Sequence, residues 1–433
     1  MNPNIFAVLL AGFTFILPLE AAIIGTNVPA QPLTAERIAT LPAGQQPEWS
    51  RYLEHSQKQR RADQDFLAAE LAAHGLKQAR LPHGTHNANG LSLDQPAAYY
   101  AGTDPRRIAD IVVSFQTPAG GWSKNTDYTL APRTPGELFG AENGSLFLGT
   151  NDYDQPHEAS WNYVGTFDND ATTTELRFLA KVISADHGSN AVWRADFARG
   201  LEYIFAAQYP NGGWPQVWPL QGGYHDEITF NDDAMLHVVE FLREAALGQN
   251  EFAFVPAELR AKADASWKRG LDCILAAQIA VDGKRTVWCQ QHDALTLAPA
   301  SARNYEMPSQ TSSESATLVL FLMQLPNPDA RTVTAVHSAA AWFAKTEITG
   351  KAFQVVGKES RKLIDAPGNG PVWARYYEIG TDRPLFGDRD KSIHDDVNEI
   401  SRERRKGYGW FKDTPKRVLE HYPKWAKAHP AQP

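Results

Sequence analysis

Two stretches of the sequence each place three acidic or amide side chains at the start of a predicted helix. Residues 166–179 read TFDNDATTTELRFL and residues 229–242 read TFNDDAMLHVVEFL. The side chains concerned are Asp168, Asn169 and Asp170 in the first copy and Asn231, Asp232 and Asp233 in the second. A single carboxylate caps a helix N-terminus and suits the positive end of the helix dipole. Two or three carboxylates exceed what capping requires, although capping remains the alternative for Asp170 and Asp233.

Arginines are dense in the C-terminal third, in segments that glycine and proline interrupt. WARYYEIGTDRPLFGDRD contains Arg375, Arg383 and Arg389, and EISRERRKGYGWF contains Arg402, Arg404 and Arg405 at the end of a predicted helix that stops at Gly407. A guanidinium binds a carboxylate through two hydrogen bonds. Together with Lys124 and Arg303, these arginines predict a pocket for several carboxylates, beside a metal that bridges an anionic substrate. The competing interpretation is structural ion pairing for Arg375 and Arg389, and solubilising charge for Arg402 and Arg405.

Composition indicates a soluble globular protein that is not a general nucleic-acid binder. Of the 433 residues, 43% are hydrophobic and 21% are charged, and the net charge is −8. The 12 tryptophans are compatible with sugar-binding platforms as well as with a core. Any cationic site must therefore be local.

The N-terminus resembles a secretory leader. Residues 5–19 form an apolar run that is followed by Ala21 and Ala22, so we predict a signal peptide over 1–22 and a secreted protein. An uncleaved anchor is the alternative, because no Lys or Arg precedes the run. Residues 23–48 are rich in proline and alanine and predict a linker. The two cysteines, Cys273 and Cys289, are compatible with one disulfide or with two buried thiols.

The remaining chain predicts a mainly all-α fold built from helical hairpins. A first helix ends at Gly75, and three later amphipathic helices each close at a glutamine that is followed by a glycine turn and a tryptophan. These residues are Gln116, Gln208 and Gln278, with Trp122, Trp214 and Trp288. Alternating helices of this kind predict an α/α toroid or barrel over residues 49–425. We expect its long loops to form a wide substrate groove. Residues 426–433 are predicted to be a tail.

Eight motifs together resemble the family 10 pectate lyases, over residues 45–425. In chain order they are GGWSKNTDY, TFDNDATTTELRFLA, YPNGGWPQVWPL, GYHDEITFNDDAM, VWCQQHD, ARNYEMPS, WARYYEIGTDRPLFGDRD and ERRKGYGWF. The resemblance implies a helical toroid-like fold with a wide groove. It also implies cleavage of polygalacturonate by Ca²⁺-assisted β-elimination.

The resemblance also implies roles for individual residues. Arg389, in FGDRD, matches the position of the base, and the substrate-binding positions match Lys124, Arg303, Arg375 and Arg404. Calcium ligands match Asp168, Asn169 and Asp232, with Asp170 and Asp233 as reserves. Trp122, Trp214 and His292 also lie in matching motifs, but we expect them to brace loops.

Three further functions remain open from the sequence. A terpenoid cyclase toroid also contains glutamine, glycine and tryptophan repeats, but it requires an apolar cavity, whereas the loops here carry charged residues. A glycoside hydrolase on a helical barrel and a non-catalytic sugar-binding module are also compatible with the sequence. The predicted partner is the pectate chain, with no nucleic acid and no membrane after leader removal, and we expect a monomer.

Overall fold

The computed structural model describes residues 22–84, 89–141, 152–153, 164–357 and 360–431. The fold is mainly helical, as predicted, with 46% helix and 12% strand. The helices of the described residues are α1 (Ala35–Ile38), α2 (Gln46–Ala73), α3 (Ala97–Tyr100), α4 (Thr103–Ser114), α5 (Thr173–Ala185), α6 (Ala191–Ala207), α7 (Ala234–Leu247), α8 (Ala257–Ala277), α9 (Ser313–Met323), α10 (Ala330–Thr346), α11 (Arg402–Gly407) and α12 (Thr414–Ala428). None of these described helices is long and apolar enough to cross a membrane.

Strands are short and gather into small sheets between the helices. They are β1 (Gly25–Thr26), β2 (Gly165–Thr166), β3 (Val217–Trp218), β4 (Ile228–Thr229), β5 (Ala280–Val281), β6 (Lys284–Arg285), β7 (Gln291–His292), β8 (Pro299–Ala300), β9 (Gln310–Thr311), β10 (Lys351–Val355), β11 (Arg361–Asp365), β12 (Trp373–Ala374), β13 (Tyr376–Tyr377), β14 (Pro384–Gly387), β15 (Ser392–His394) and β16 (Phe411–Lys412). The largest sheet has the order β1-β15-β14-β13-β9 and carries the arginine-rich segments.

Helices α4 to α10 form two layers. The outer helices α4, α6, α8 and α10 pack against one another in sequence, while α5 and α7 pack together on the inner side. Helix α9 packs against α10, α12 and the turn that precedes α7. The inner helices have few exposed positions. The i, i+3 pairs on their buried faces are 0% exposed, namely Leu176 and Leu179 in α5 and Val239 and Leu242 in α7. The predicted alternation of helical hairpins is therefore confirmed.

The glutamine and tryptophan of each repeat brace the hairpins. Each glutamine Nε2 donates to its own turn and to a later helix: Gln116 to Gly120 O (2.7 Å) and Asp196 O (2.8 Å), Gln208 to Gly212 O (2.9 Å) and Ser266 O (2.9 Å), Gln278 to Thr286 O (2.9 Å) and Ala335 O (3.1 Å). Each indole donates back to the preceding helix, from Trp122 to Val112 O, Trp214 to Ile204 O and Trp288 to Ile274 O. The indole bonds satisfy carbonyls in the last turns of α4, α6 and α8, and the glutamine bonds tie each turn to the next outer helix.

The turn glycines allow a close approach between repeats. Gly120 and Gly212 have φ of 104° and 96°, and a Cβ there would lie 2.7 Å from Arg199 O and 2.2 Å from Arg269 O, respectively. Only glycine combines this backbone conformation with this contact.

Some predicted boundaries differ in the structure. Within the predicted linker 23–48, β1 pairs with β15 and α1 buries Ile38, so this segment packs on the body because its polar backbone completes a sheet edge. The predicted tail 426–433 overlaps α12, which extends to Ala428. Most of the predicted signal peptide, residues 1–21, lies outside the described residues. Cys273 and Cys289 are free, buried thiols.

Candidate active site

The two acidic segments fold into matching turns at the N-termini of α5 and α7. Asp168–Asp170 and Asn231–Asp233 are both 3₁₀ turns, each preceded by a short strand. In the first turn Asn169 and Asp170 have φ of 50° and 60°, and in the second Asp232 and Asp233 have φ of 49° and 59°. Asparagine and aspartate tolerate this left-handed region better than most residues. The repeated sequence therefore specifies a repeated backbone.

A partial third copy of this arrangement precedes α9: the short strand and its bond to the tryptophan recur, but the 3₁₀ turn and its left-handed residues do not. The backbone N–H of the last strand residue donates to the repeat tryptophan in all three cases: Thr166 to Trp122 O (2.9 Å), Thr229 to Trp214 O (3.2 Å) and Thr311 to Trp288 O (2.8 Å). The acidic residue of the third copy is Glu314, in the first turn of α9. Sequence reasoning missed this copy because QTSSES keeps only the threonine of the repeated phrase. The preceding tryptophan was the available signal.

Asp168 is a buried carboxylate that pairs with Lys124. Lys124 Nζ lies 2.5 Å from Asp168 Oδ2, and Asp168 is 7% exposed. Burial acts to raise the pKa of Asp168, but Lys124 and, more weakly, Arg303 bring it below its ordinary value. Two predicted site residues are thus in direct contact, and Asp168 is held ionised.

Asp232 belongs to the same charged region. Loss of solvent and the negative charge of Asp168 raise the pKa of Asp232, whereas Arg375 and Arg303 act in the opposite direction. Arg375 Nη2 lies 3.8 Å from Asp232 Oδ1, and Asn231 Nδ2 donates to Asp232 Oδ2 at 2.8 Å. The structure therefore brings Asp168 and Asp232 within electrostatic range of one another.

The reserve residues Asp170 and Asp233 have partners of their own. Asp170 Oδ1 lies 2.6 Å from His237 Nδ1, and Asp233 Oδ1 accepts from Thr317 Oγ1 at 2.5 Å. Asp233 is the N-cap residue of α7, but its side chain accepts no N–H of that helix. Burial raises the pKa of Asp233 to about 6. Its carboxylate links α7 to α9 instead of capping α7.

The side chains of the turns Asp168–Asp170 and Asn231–Asp233 offer oxygen ligands that suit a hard cation, provided that a bound anion supplies the remaining ligands. Within the described ranges, no group of three or more His, Cys, Asp or Glu residues is arranged to hold a metal ion. Asp168, Asn169 and Asp232 nonetheless offer carboxylate and amide oxygens, which are the ligands that Ca²⁺ prefers. Glu314 Oε2 is buried and lacks a hydrogen-bond partner in the described part of the chain. The donor set therefore fits calcium, although it is incomplete by itself.

Four of the predicted arginines form one cluster around two tyrosine rings. The guanidinium carbons of Arg303, Arg389 and Arg404 lie 5.0, 5.4 and 4.3 Å from the centroid of Tyr305. The guanidinium of Arg375 lies 4.8 Å from the centroid of Tyr408, and the two tyrosine rings meet edge to face at 5.3 Å. The structure thus unites residues that are up to 101 positions apart in the sequence.

Glutamates fix each of these guanidinium groups. Arg303 binds Glu306 through two hydrogen bonds of 2.8 and 2.5 Å. Arg389 Nε and Arg404 Nε both donate to Glu403, at 3.1 and 2.6 Å. Arg375 Nε donates to Glu314 at 2.9 Å. Burial opposes ionisation of Glu306, but Arg303 and Tyr408 lower the pKa of Glu306 to about 2. The predicted arginines are therefore held in place before any substrate binds.

Sequence reasoning missed the residues that hold the arginines. Glu306 and Tyr305 lie inside the quoted motif ARNYEMPS, and Glu403 and Tyr408 lie inside ERRKGYGWF, but nothing in their spacing indicates which arginine each would contact. The aspartates that flank Arg389 have other roles, because the side chains of Ser401 and Ser392 donate to Asp388 and Asp390 at 2.8 and 2.6 Å.

Three other residues predicted from the sequence lie outside this cluster: Arg383, Arg405 and His292. Arg383 pairs with Glu378 and Asp395, and Arg405 donates to the carbonyls of Asn398 and Ile400. His292 is fully buried, accepts from Cys289 N at 3.0 Å and contacts Leu297 O at 2.8 Å through its other ring nitrogen. Burial lowers the pKa of His292 to about 4, so the imidazole is a neutral brace, as expected.

Comparisons with known proteins match most of the chain. The family model for pectic acid lyase matches residues 116–419. A family 10 polysaccharide lyase from Cellvibrio cellulosa is 32% identical and superposes with a TM-score of 0.63, covering 78% of this chain and 99% of its own. An aspartate-to-alanine mutant of a family 10 polysaccharide lyase from the same organism, in complex with trigalacturonic acid, gives a TM-score of 0.62 with the same identity and coverage. No curated protein matches the chain.

Proposed function

The chain belongs to the pectic acid lyase family, and from that premise we propose that it cleaves polygalacturonate by Ca²⁺-dependent β-elimination. The observation that carries this proposal is the arrangement of Asp168 and Asp232 beside the cluster of Arg303, Arg375, Arg389 and Arg404. A polymer that carries a carboxylate on every sugar requires both a cation site and several guanidinium groups.

The reaction is a proton abstraction followed by loss of a leaving group. A base takes the proton at C5, a double bond forms between C4 and C5, and the bond from C4 to the glycosidic oxygen breaks. The leaving oxygen then takes a proton. Negative charge develops on the C6 carboxylate as the C5 proton leaves, so groups that face this carboxylate lower the barrier.

Calcium would be held by Asp168, Asn169 and Asp232, with the C6 carboxylate of the substrate among its ligands. When bound there, it would neutralise that carboxylate and so make the C5 proton more acidic. Lys124, Arg375 and Arg404 bind neighbouring uronates. Asp170 and Asp233 remain reserves, although His237 and Thr317 already occupy their carboxylates.

Two arginines are candidates for the base, and different observations favour each. Arg389 is the expected base from its FGDRD segment, and its side chain remains 32% exposed next to Glu403. Arg303 is favoured by position, because its charge acts on both Asp168 and Asp232. Against Arg303 stands its bidentate bond to Glu306, which keeps its guanidinium protonated. An arginine base acts through a small neutral fraction, so we expect activity to rise at alkaline pH.

The proposed reaction has a specific product. Incubation with polygalacturonate and Ca²⁺ should release an unsaturated uronate that absorbs in the ultraviolet, and a chelator should stop its release. Reducing ends without this absorbance would indicate a glycoside hydrolase. Binding without cleavage would indicate a binding module. No reaction with the polymer but turnover of a terpenoid precursor would indicate a cyclase.

We also propose that the protein is secreted and acts as a monomer. Secretion fits the predicted leader over residues 1–22 and an extracellular polymer as substrate. Mass spectrometry of the protein recovered from the culture medium would show the mature N-terminus, and light scattering would show the oligomeric state. A cell-associated protein with an intact leader would contradict secretion.

A further inference from the structure

We propose that Tyr305 is a positioning residue whose ring holds the guanidinium groups of Arg303, Arg389 and Arg404 in fixed relation to one another. This inference rests on the proposed function, in which these arginines bind the substrate and accept the proton. Tyr305 is not assigned a chemical step.

The ring of Tyr305 is a contact that all three guanidinium groups share. Their carbons lie 5.0, 5.4 and 4.3 Å from its centroid. The residue is 2% exposed, and the ring of Tyr408 packs against it at an interplanar angle of 80°. Guanidinium groups at these distances are attracted by the negative face of an aromatic ring. Because packing holds the ring in one orientation, the ring can keep the three guanidinium groups in fixed positions.

The cluster benefits from such a support because it brings like charges together. Arg389 and Arg404 both donate to one carboxylate, that of Glu403. Burial and the charge of Arg303 act to lower the pKa of Arg404, while Glu403 and Tyr305 raise it above its ordinary value. Since the arginines repel one another, removal of the ring would let them separate into solvent.

The backbone around Tyr305 connects its position to the loop of Arg389. A Cβ on Gly387 would lie 2.4 Å from Tyr305 O, so the strand before Arg389 packs directly on the Tyr305 backbone. Asn304 Nδ2 donates to Arg389 O at 2.8 Å, and Asn27 Nδ2 donates to Arg303 O at 3.1 Å. The ring and the loop therefore keep a fixed separation.

Substitutions that separate the ring from the hydroxyl test the proposal. Tyr305→Phe keeps the ring, so its KM and kcat should stay close to those of the wild type. Tyr305→Leu removes the ring, so kcat/KM should fall about tenfold to a hundredfold, with KM raised. Equal losses of kcat/KM in Tyr305→Phe and Tyr305→Leu would overturn the proposal, because they would assign the effect to the hydroxyl. An unchanged KM in Tyr305→Leu would also overturn it.

A matched control distinguishes positioning from a general loss of folding. Tyr100 is also 2% exposed, has Lys181 Nζ 5.5 Å from its ring centroid and lies away from the cluster. Tyr100→Leu should lower thermal stability and leave KM unchanged. In addition, Tyr305→Leu should have a smaller effect on KM in an Arg404→Ala background, because its closest guanidinium is then absent. Additive effects would contradict action through Arg404.

A crystal structure of Tyr305→Leu gives a readout that does not depend on activity. The guanidinium groups of Arg389 and Arg404 should move from their wild-type positions while Gly387 and the helices stay in place. Unmoved guanidinium groups would refute the inference even if the enzyme proved inactive on pectate. Failure of the wild type to cleave pectate would refute only the proposed function.

Discussion

Asn169 and Asp232 adopt one backbone conformation at matching positions of two turns, with φ and ψ of 50° and 41° in the first and 49° and 33° in the second. Their side chains therefore leave equivalent points of the turns that precede the two inner helices, α5 and α7. One presents an amide oxygen and the other a carboxylate. This pairing, together with Asp168, is the basis of the calcium proposal.

The calcium proposal predicts a specific effect of Asp232→Asn. Asparagine tolerates the left-handed backbone, so the variant should lose Ca²⁺-stimulated cleavage while its free energy of unfolding changes by no more than about 1–2 kcal/mol. Asp232→Ala should abolish cleavage as well, with an added backbone cost. Product absorbance over a Ca²⁺ titration and thermal denaturation measure the two effects. Asp282→Asn is the control, since Asp282 also has φ of 49° but lies on the β5-β6 hairpin. Full activity of Asp232→Asn would show that the metal site is elsewhere.

The two candidate bases are separated by steady-state kinetics. If Arg389 is the base, Arg389→Ala should lower kcat by about a thousandfold or more with little change in KM, and Arg389→Lys should stay weak because lysine lacks the planar fork. Arg303→Ala should then mainly raise KM. The reverse pattern would assign the base to Arg303. Arg383→Ala, which removes pairs with Glu378 and Asp395 outside the cluster, should leave both constants unchanged.

Arg375 should affect stability as well as substrate binding. Its removal leaves Glu314, which is 4% exposed, as a buried carboxylate without its cation. We expect Arg375→Ala to cost about 3–5 kcal/mol of unfolding free energy, measured by denaturant titration. Adding Glu314→Gln should recover part of this loss. Arg404→Ala should cost less, because Glu403 is 55% exposed and keeps Arg389 as a partner, and should weaken pectate binding by about 1–3 kcal/mol.

The pair of Lys124 and Asp168 predicts a pH-dependent stability. The pKa of Asp168 is lowered in the folded protein, so the stability that the pair contributes is present above about pH 4 and is lost as the pH falls further. Lys124→Met should therefore be less stable than the wild type by about 1–3 kcal/mol at neutral pH. The difference should shrink in acid, when Asp168 takes a proton. Denaturation in the presence of a chelator measures this, and a difference that stays constant with pH would contradict it.

Asp63 predicts the opposite dependence. This carboxyl is 0% exposed, Gln59 donates to its Oδ1 at 2.8 Å, and burial raises its pKa to about 7. The folded state then binds a proton that the unfolded state releases between about pH 4 and pH 7, so stability falls as the pH rises through this range. The free energy of unfolding of Asp63→Asn, relative to that of the wild type, should rise by about 2–4 kcal/mol from about pH 4 to about pH 8. Asp65→Asn, on the exposed face of α2, should not change the profile.

Sequence alone determined the parts of the fold that depend on local pattern. The i, i+3 spacing fixed which faces of α5 and α7 are buried. The glutamine, glycine and tryptophan of each repeat fixed where the hairpins turn, since the glutamine bonds to its own turn and the tryptophan to the preceding helix. The acidic turns were also visible, because asparagine and aspartate in a run both favour a left-handed backbone and supply oxygen ligands. Eight motifs in order then indicated the family.

Only the tertiary structure decided how these parts meet. The partner of each arginine is set by packing: Arg375 reaches Glu314 and Asn231 at sequence separations of 61 and 144, which no local spacing encodes. Three guanidinium groups converge on Tyr305 for two reasons. Strand β14, which precedes Arg389, packs against the Tyr305 backbone at Gly387. Ser401, which precedes α11 and Arg404, donates to Asp388 next to Arg389. The sequence could therefore indicate which side chains bind an anionic polymer. Their orientation depends on long-range contacts, whose free energy is gained only when the whole chain has folded.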